Sequence, residues 1–152
     1  MRPSKEQYML QMAQTVANRA DCMGRKVGAV IHRDSYVVAT GYNGTPQGMT
    51  NCTDGGCFRC ANREEFGLGV GYHLCICVHA EMNALLTAAR WGARVEGASI
   101  VSTLRPCVDC LKSIVQAGIT VVHFQTTGIG YMSKDYVRLV SHLKEFLAIN
   151  PE

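Results

Sequence analysis

The chain has 152 residues, 47% hydrophobic and 18% charged, the composition of a soluble globular protein and enough for one domain, residues 1–152, with a substantial core. Its formal charge of +3 and pI near 8.4 are mildly basic but lack the dense Lys/Arg stretches of a duplex-binding protein, which suits a small anionic ligand better than nucleic acid. Lys5, Glu6 and Arg19 break up the apolar residues of the first segment, so neither a signal peptide nor a membrane span is expected. A cytoplasmic location follows as an expectation, in which eight cysteines point to metal more than to disulfides.

Ser4 and Gln7 form a capping box, and Met9, Met12, Ala13 and Val16 recur at helical spacing, predicting an opening helix that ends near Asp21. Val27 to His32 and Tyr36 to Thr40 are β-rich runs around the turn-type cluster Arg33-Asp34-Ser35, a hairpin. From Gly41 to Leu74 the chain is rich in Gly and Cys with little periodicity, longer than a plain connection and therefore a functional or metal-stapled loop. Met82, Leu85, Leu86 and Ala89 then mark an amphipathic helix with His79 and Glu81 in its first turn. Ala98 to Leu104 reads as a strand. A helix follows with Pro106 in its first position and Leu111, Ile114 and Val115 as its packing stripe. Thr120 to Gln125 reads as a further strand, and Tyr136 to Ala148 as a final amphipathic helix. The alternation predicts an α/β sandwich with parallel pairing.

The chemistry concentrates in His79-Ala80-Glu81 and Pro106-Cys107-Val108-Asp109-Cys110. Both begin helices, whose positive dipole ends favour thiolates, the zinc-binding form of cysteine. His79, Cys107 and Cys110 make three zinc ligands. Structural zinc usually takes four, whereas catalytic zinc keeps a position for water, whose pKa it lowers to about 7. Glu81 is left free to move protons. H-x-E followed by P-C-x-x-C is the signature of zinc-dependent nucleobase deaminases.

With those stretches in this order of elements, the sequence resembles the cytidine deaminase superfamily, and more narrowly the deoxycytidylate (dCMP) deaminases of bacteria and phages. Lys26 to Ile31, Gly41-Tyr42-Asn43-Gly44-Thr45-Pro46 with Gly48, His79 to Ala84, Thr103 with Pro106, Cys107 and Cys110, and Gln116 to Ile119 carry the resemblance. It implies a three-layer α/β/α sandwich with a mixed sheet of four to five strands. A fifth strand would follow the last helix, where the sequence runs on only to Asn150-Pro151-Glu152. It also implies hydrolytic deamination of dCMP to dUMP and ammonia, supplying dUMP for thymidylate synthesis, with Glu81 shuttling protons between water, ring N3 and the departing amine. Asn43 matches the residue that holds the deoxyribose hydroxyl, although a turn-forming Asn would look the same. Arg25, Lys26 and Arg105 are candidates for the 5′-phosphate. Tyr131 could stack on the base or cap the core.

The resemblance further implies a second, structural zinc. The surplus thiols are Cys22, Cys52, Cys57, Cys60, Cys75 and Cys77, from which we expect Cys22, Cys52, Cys57 and Cys75 as ligands, with Cys60 and Cys77 as alternates. It implies a hexamer activated by dCTP and inhibited by dTTP. Tyr42, Gly44 and Gly48 would then serve the effector triphosphate with Mg²⁺, and Arg90 a subunit interface. Two rival readings are a deaminase of single-stranded nucleic acid or tRNA, disfavoured by 7% aromatic residues, and a non-catalytic zinc module, which leaves Glu81 without a role.

Overall fold

A computed structural model describes residues 1–67, 70–125, 134–144 and 147–151. In chain order the elements are α1 (Lys5–Ala17), β1 (Gly28–Arg33), β2 (Tyr36–Tyr42), α2 (Phe58–Ala61), α3 (Ala80–Trp91), β3 (Ser99–Ser102), α4 (Val108–Gln116), β4 (Val121–Phe124), α5 (Lys134–Leu143) and β5 (Ala148–Pro151). The strands form one mixed sheet in the order β2-β1-β3-β4-β5. β1 pairs antiparallel with β2 and β3, while β3, β4 and β5 run parallel.

Alternation along β1 divides the core between the two faces of the sheet. Ala29 and Ile31 join the larger cluster, with Ala84 of α3, Leu111 and Ile114 of α4, and Val122 of β4. Val30 joins Val101 of β3 and Met9 and Ala13 of α1 on the opposite face. The result is the expected three-layer sandwich, with α1 on one side and α3, α4 and α5 on the other. Among the described residues no helix is long and apolar enough to cross a membrane.

Helix α1 carries the capping box, Ser4 Oγ accepting from the Gln7 N–H and Gln7 Oε1 from the Ser4 N–H. It ends at Ala17, earlier than Asp21, because residues 18–20 tighten into successive i→i−3 turns. The last helix likewise stops at Leu143, and Ala148, read as its last residue, opens β5. There, pairing of Ala148 and Ile149 with Val121 and Val122 outweighs helical periodicity, and Leu147 just before it is buried in the main core. The sheet therefore has five strands.

The stripe expected on α3 is rotated. Ala80, Ala84, Leu85 and Ala88 are its buried apolar positions, and Leu86 and Ala89 face outward. Alanines permit close approach, and β2 answers them with Gly41: a Cβ there would strike the carbonyl of Ala80 and the N–H of Ala84. Strand and helix thus meet backbone to backbone, setting the end of β2 beside the first turn of α3.

Candidate active site

Two helix starts and one strand end build the site. His79 is the N-cap of α3 and Cys107 the N-cap of α4, both in extended backbone conformation, one step earlier than the first-turn positions read from the sequence. Pro106 accordingly precedes the cap. It is buried, and its carbonyl accepts a hydrogen bond from the Tyr136 hydroxyl at 2.8 Å. Cys110 lies one turn into α4 and is buried.

The three ligands converge. His79 Nδ1 lies 3.4 Å from Cys107 Sγ and 3.5 Å from Cys110 Sγ, and all three donor atoms fall within 4.8 Å of one another. A tetrahedral zinc with its usual Zn–N and Zn–S bonds separates such atoms by about 3.5 Å, so these residues fit the ion. The Cys110 thiol bonded to Cys107 overcomes desolvation and, with the His79 ring, holds Cys107 down to about 4. The site thereby offers a thiolate.

Glu81, in the first turn of α3, is 4% exposed. Its Oε1 accepts a 2.8 Å hydrogen bond from Ser102 Oγ, at the end of β3. Burial raises its pKa, and the backbone N–H and the Ser102 hydroxyl work against that rise. Ser102 is fully buried, and its Oγ accepts in turn from the Leu104 N–H at 3.5 Å. The sequence gives no signal for this residue: a serine ending an apolar strand is unremarkable until the fold brings Glu81 to it.

Asn43 follows β2 directly and is buried. Its Oδ1 accepts from the Val27 N–H at 2.8 Å and its Nδ2 donates to the Arg25 carbonyl at 2.7 Å. One lone pair and one N–H of the amide remain available. The paired bridge between Gly44 and Val78, with N···O distances of 3.3 and 2.8 Å, ties this segment to the residue before His79. Arg25 and Lys26 are exposed on the neighbouring loop. The Arg105 guanidinium stacks over the Tyr136 ring at 4.4 Å, and its buried Nη1 has no hydrogen-bond partner among the described residues. Tyr131 lies outside the described residues.

Tyr42, Gly44 and Gly48 line one cavity of about 540 Å³ together with Arg19 and Asp21, and none of the three metal ligands borders it. Arg90, in the last turn of α3, donates to Gln47 Oε1 at the edge of the same stretch.

The surplus cysteines form a separate cluster in which the four expected ligands are divided between two groups. Cys22 and Cys52 gather with Cys60 and Cys77, and Cys57 and Cys75 gather with those same two thiols. Sequence spacing undervalued Cys60 and Cys77 because α2 and the turn before His79 fold back toward each other. Burial would raise Cys57, but N–H groups at Cys60 and Ile76 and neighbouring thiols bring it down to about 7.

A His/Cys/Cys metal set beside a buried carboxylate on an α/β sandwich defines a metal-and-carboxylate site for acid–base chemistry. The family model described as the cytidine and deoxycytidylate deaminase zinc-binding region matches residues 3–126, and the chain belongs to that family. Deoxycytidylate deaminase of Saccharomyces cerevisiae is 47% identical over 123 residues, 80% of this chain but 38% of the yeast protein. That of Mycobacterium phage D29 is 40% identical over 124 residues, covering 78% of this chain and 91% of its own. The crystal structure of dCMP deaminase from the cyanophage S-TIM5 in complex with dCMP and dUMP superposes with a TM-score of 0.74 at 26% identity, covering 100% of this chain and 99% of the other. The chain spans under two-fifths of the length of the yeast relative and of its Schizosaccharomyces pombe counterpart.

Proposed function

We propose that this protein deaminates dCMP hydrolytically to dUMP and ammonia, supplying dUMP for thymidylate synthesis. The observation that carries the reading is the placement of Glu81, buried and held by Ser102, beside three converged zinc ligands. Zinc held by His79, Cys107 and Cys110 would supply Lewis acidity that lowers the pKa of water. Glu81 would take a proton from the attacking water and return protons to ring N3 and the departing amine, so that a C4–O bond replaces the C4–N bond and ammonia leaves. A carboxylate whose pKa is raised by burial is suited to both directions of transfer. Ser102 fixes which way the carboxylate faces.

Asn43 would use its remaining amide capacity for the deoxyribose hydroxyl. Among the phosphate candidates, Arg105 is favoured by its Nη1, which has no hydrogen-bond partner among the described residues and adjoins Pro106 and Cys107 in sequence, while Arg25 and Lys26 lie on the loop that Asn43 bonds. Tyr131 remains a candidate for stacking on the base. The cavity at Tyr42, Gly44 and Gly48 supports a site for dCTP, as activator, and dTTP, as inhibitor, with Mg²⁺ on the triphosphate. Its separation from the metal ligands is what an effector site needs. Exposed Leu86 and Trp91 beside Arg90 support a homo-oligomer, a hexamer by the family's habit, and the cysteine cluster supports a second, structural zinc.

Loss of cytosine absorbance with dCMP, deoxycytidine and dCTP in parallel tests the substrate, each repeated with Mg²⁺ and either triphosphate as effector. Turnover of dCMP, raised by dCTP and suppressed by dTTP, is expected. No turnover of any small nucleotide would overturn the substrate assignment, and rates indifferent to both triphosphates would overturn the regulation.

A further inference from the structure

The six thiols of Cys22, Cys52, Cys57, Cys60, Cys75 and Cys77 lie outside the catalytic site and form their own cluster, in which Cys52 and Cys57 are fully buried and Cys60 and Cys77 nearly so. Their spacing has a meaning. Cys57 Sγ is 3.8 Å and Cys60 Sγ 3.9 Å from Cys75 Sγ, far beyond the ~2.05 Å of a disulfide. With Zn–S bonds of about 2.3 Å, the sulfurs of a tetrahedral site stand about 3.8 Å apart. The cluster's spacing thus fits ions between sulfurs and does not fit disulfides.

The cluster also contains two overlapping sets of four thiols. Cys22, Cys52, Cys60 and Cys77 form one set and Cys57, Cys60, Cys75 and Cys77 the other, with all sulfurs of each set within 4.8 Å of one another. One ion in either set would leave two thiols of the other with no metal, although they are spaced for one. Cys60 and Cys77 belong to both sets. We propose that the six cysteines hold two zinc ions in a single cluster, with Cys60 and Cys77 as bridging thiolates and Cys22, Cys52, Cys57 and Cys75 as terminal ones. This deepens the reading of the cluster as a structural zinc site and does not depend on the deaminase activity.

Charge and placement agree with it. Two divalent ions leave six thiolates with a modest negative excess, and a backbone N–H faces one of the sulfurs. Arg63 donates to the Met23 carbonyl at 3.0 Å, and the Met23 N–H donates to Cys52 Sγ at 3.3 Å, the kind of contact that supports a metal-bound thiolate. The cluster would brace the loop between β2 and α3, and through Cys77 it would fix the chain two residues before His79.

The test is metal content of the full chain purified without chelator, by elemental analysis and native mass spectrometry. Three zinc ions per chain are expected, two in the cluster and one at His79, Cys107 and Cys110. Two per chain would overturn the bridged pair and keep a single structural site; one would overturn both. Exchange with ¹¹³Cd distinguishes the cases without any mutation: two all-thiolate resonances coupled through shared sulfurs are expected, and one such resonance contradicts the proposal. Cys57→Ser should lower the count by one ion and Cys60→Ser by two. Equal losses would contradict bridging, and should either variant not fold, the wild-type count and the cadmium spectrum still decide.

Discussion

The trio His79, Cys107 and Cys110 and the six-cysteine cluster place similar metal-ligating side chains on opposite kinds of scaffold. His79, Glu81, Cys107 and Cys110 stand at the beginnings of two helices laid against the sheet, so their mutual geometry is set by elements that fold for other reasons. Of the six remaining cysteines, Cys22 lies on the connection from α1 to β1 and the other five on the loop between β2 and α3, which holds one four-residue helix and two short 3₁₀ turns and where little but the sulfurs themselves fills the interior. In the first region the fold makes the metal site; in the second the metal would make the fold.

If that contrast is right, damage to the catalytic trio should cost activity and spare the fold. Cys110→Ala should abolish turnover and remove one ion per chain, read by elemental analysis, with the circular dichroism of the sandwich retained. Ser102→Ala removes a hydrogen bond to a buried carboxylate, worth roughly 1.5–3 kcal/mol. It should lower kcat about ten- to a hundredfold with zinc content unchanged. A wild-type rate would show that Glu81 is oriented by other means. Gly41→Ala tests the scaffold beneath the trio: its methyl meets the backbone of α3's first turn. Overpacking of about 1–3 kcal/mol should appear as a fall in Tm of several degrees.

The smallest effect belongs to the sheet alone. His32 on β1 is partly buried, and both its ring nitrogens lack hydrogen-bond partners among the described residues. Burial, then the neighbouring His123, lowers its pKa from 6.5. The fold prefers the neutral ring, so its contribution to stability is present above pH about 6.5 and is lost as pH falls through the lowered folded value. His32→Gln should flatten the decline of Tm in that range, and an unchanged slope would remove His32 from the account.

Legibility followed the same divide. The catalytic ligands were readable because cap, spacing and packing stripe are local properties of a helix, and the error of one position at His79 and Pro106 did not alter which atoms converge. On α3 the buried stripe is rotated from the expected one because Gly41 of β2 draws Ala80 and Ala84 into the contact face, a pairing that helix periodicity does not record. β5 was hidden because Ala148 to Pro151 is held by strand neighbours far away in sequence. Ser102 needed the sheet to reach Glu81. In the loop, composition announced a metal site, but its ligand grouping depends on a chain path that no periodicity records.

The most direct measurement pairs dCMP turnover with zinc content in the wild-type protein and in Glu81→Gln. Equal zinc in the two proteins and a rate lower by about 10²–10⁴ in the variant are expected. Turnover of dCMP by the variant at the wild-type rate, or none by the zinc-loaded wild type, would contradict the proposed reaction.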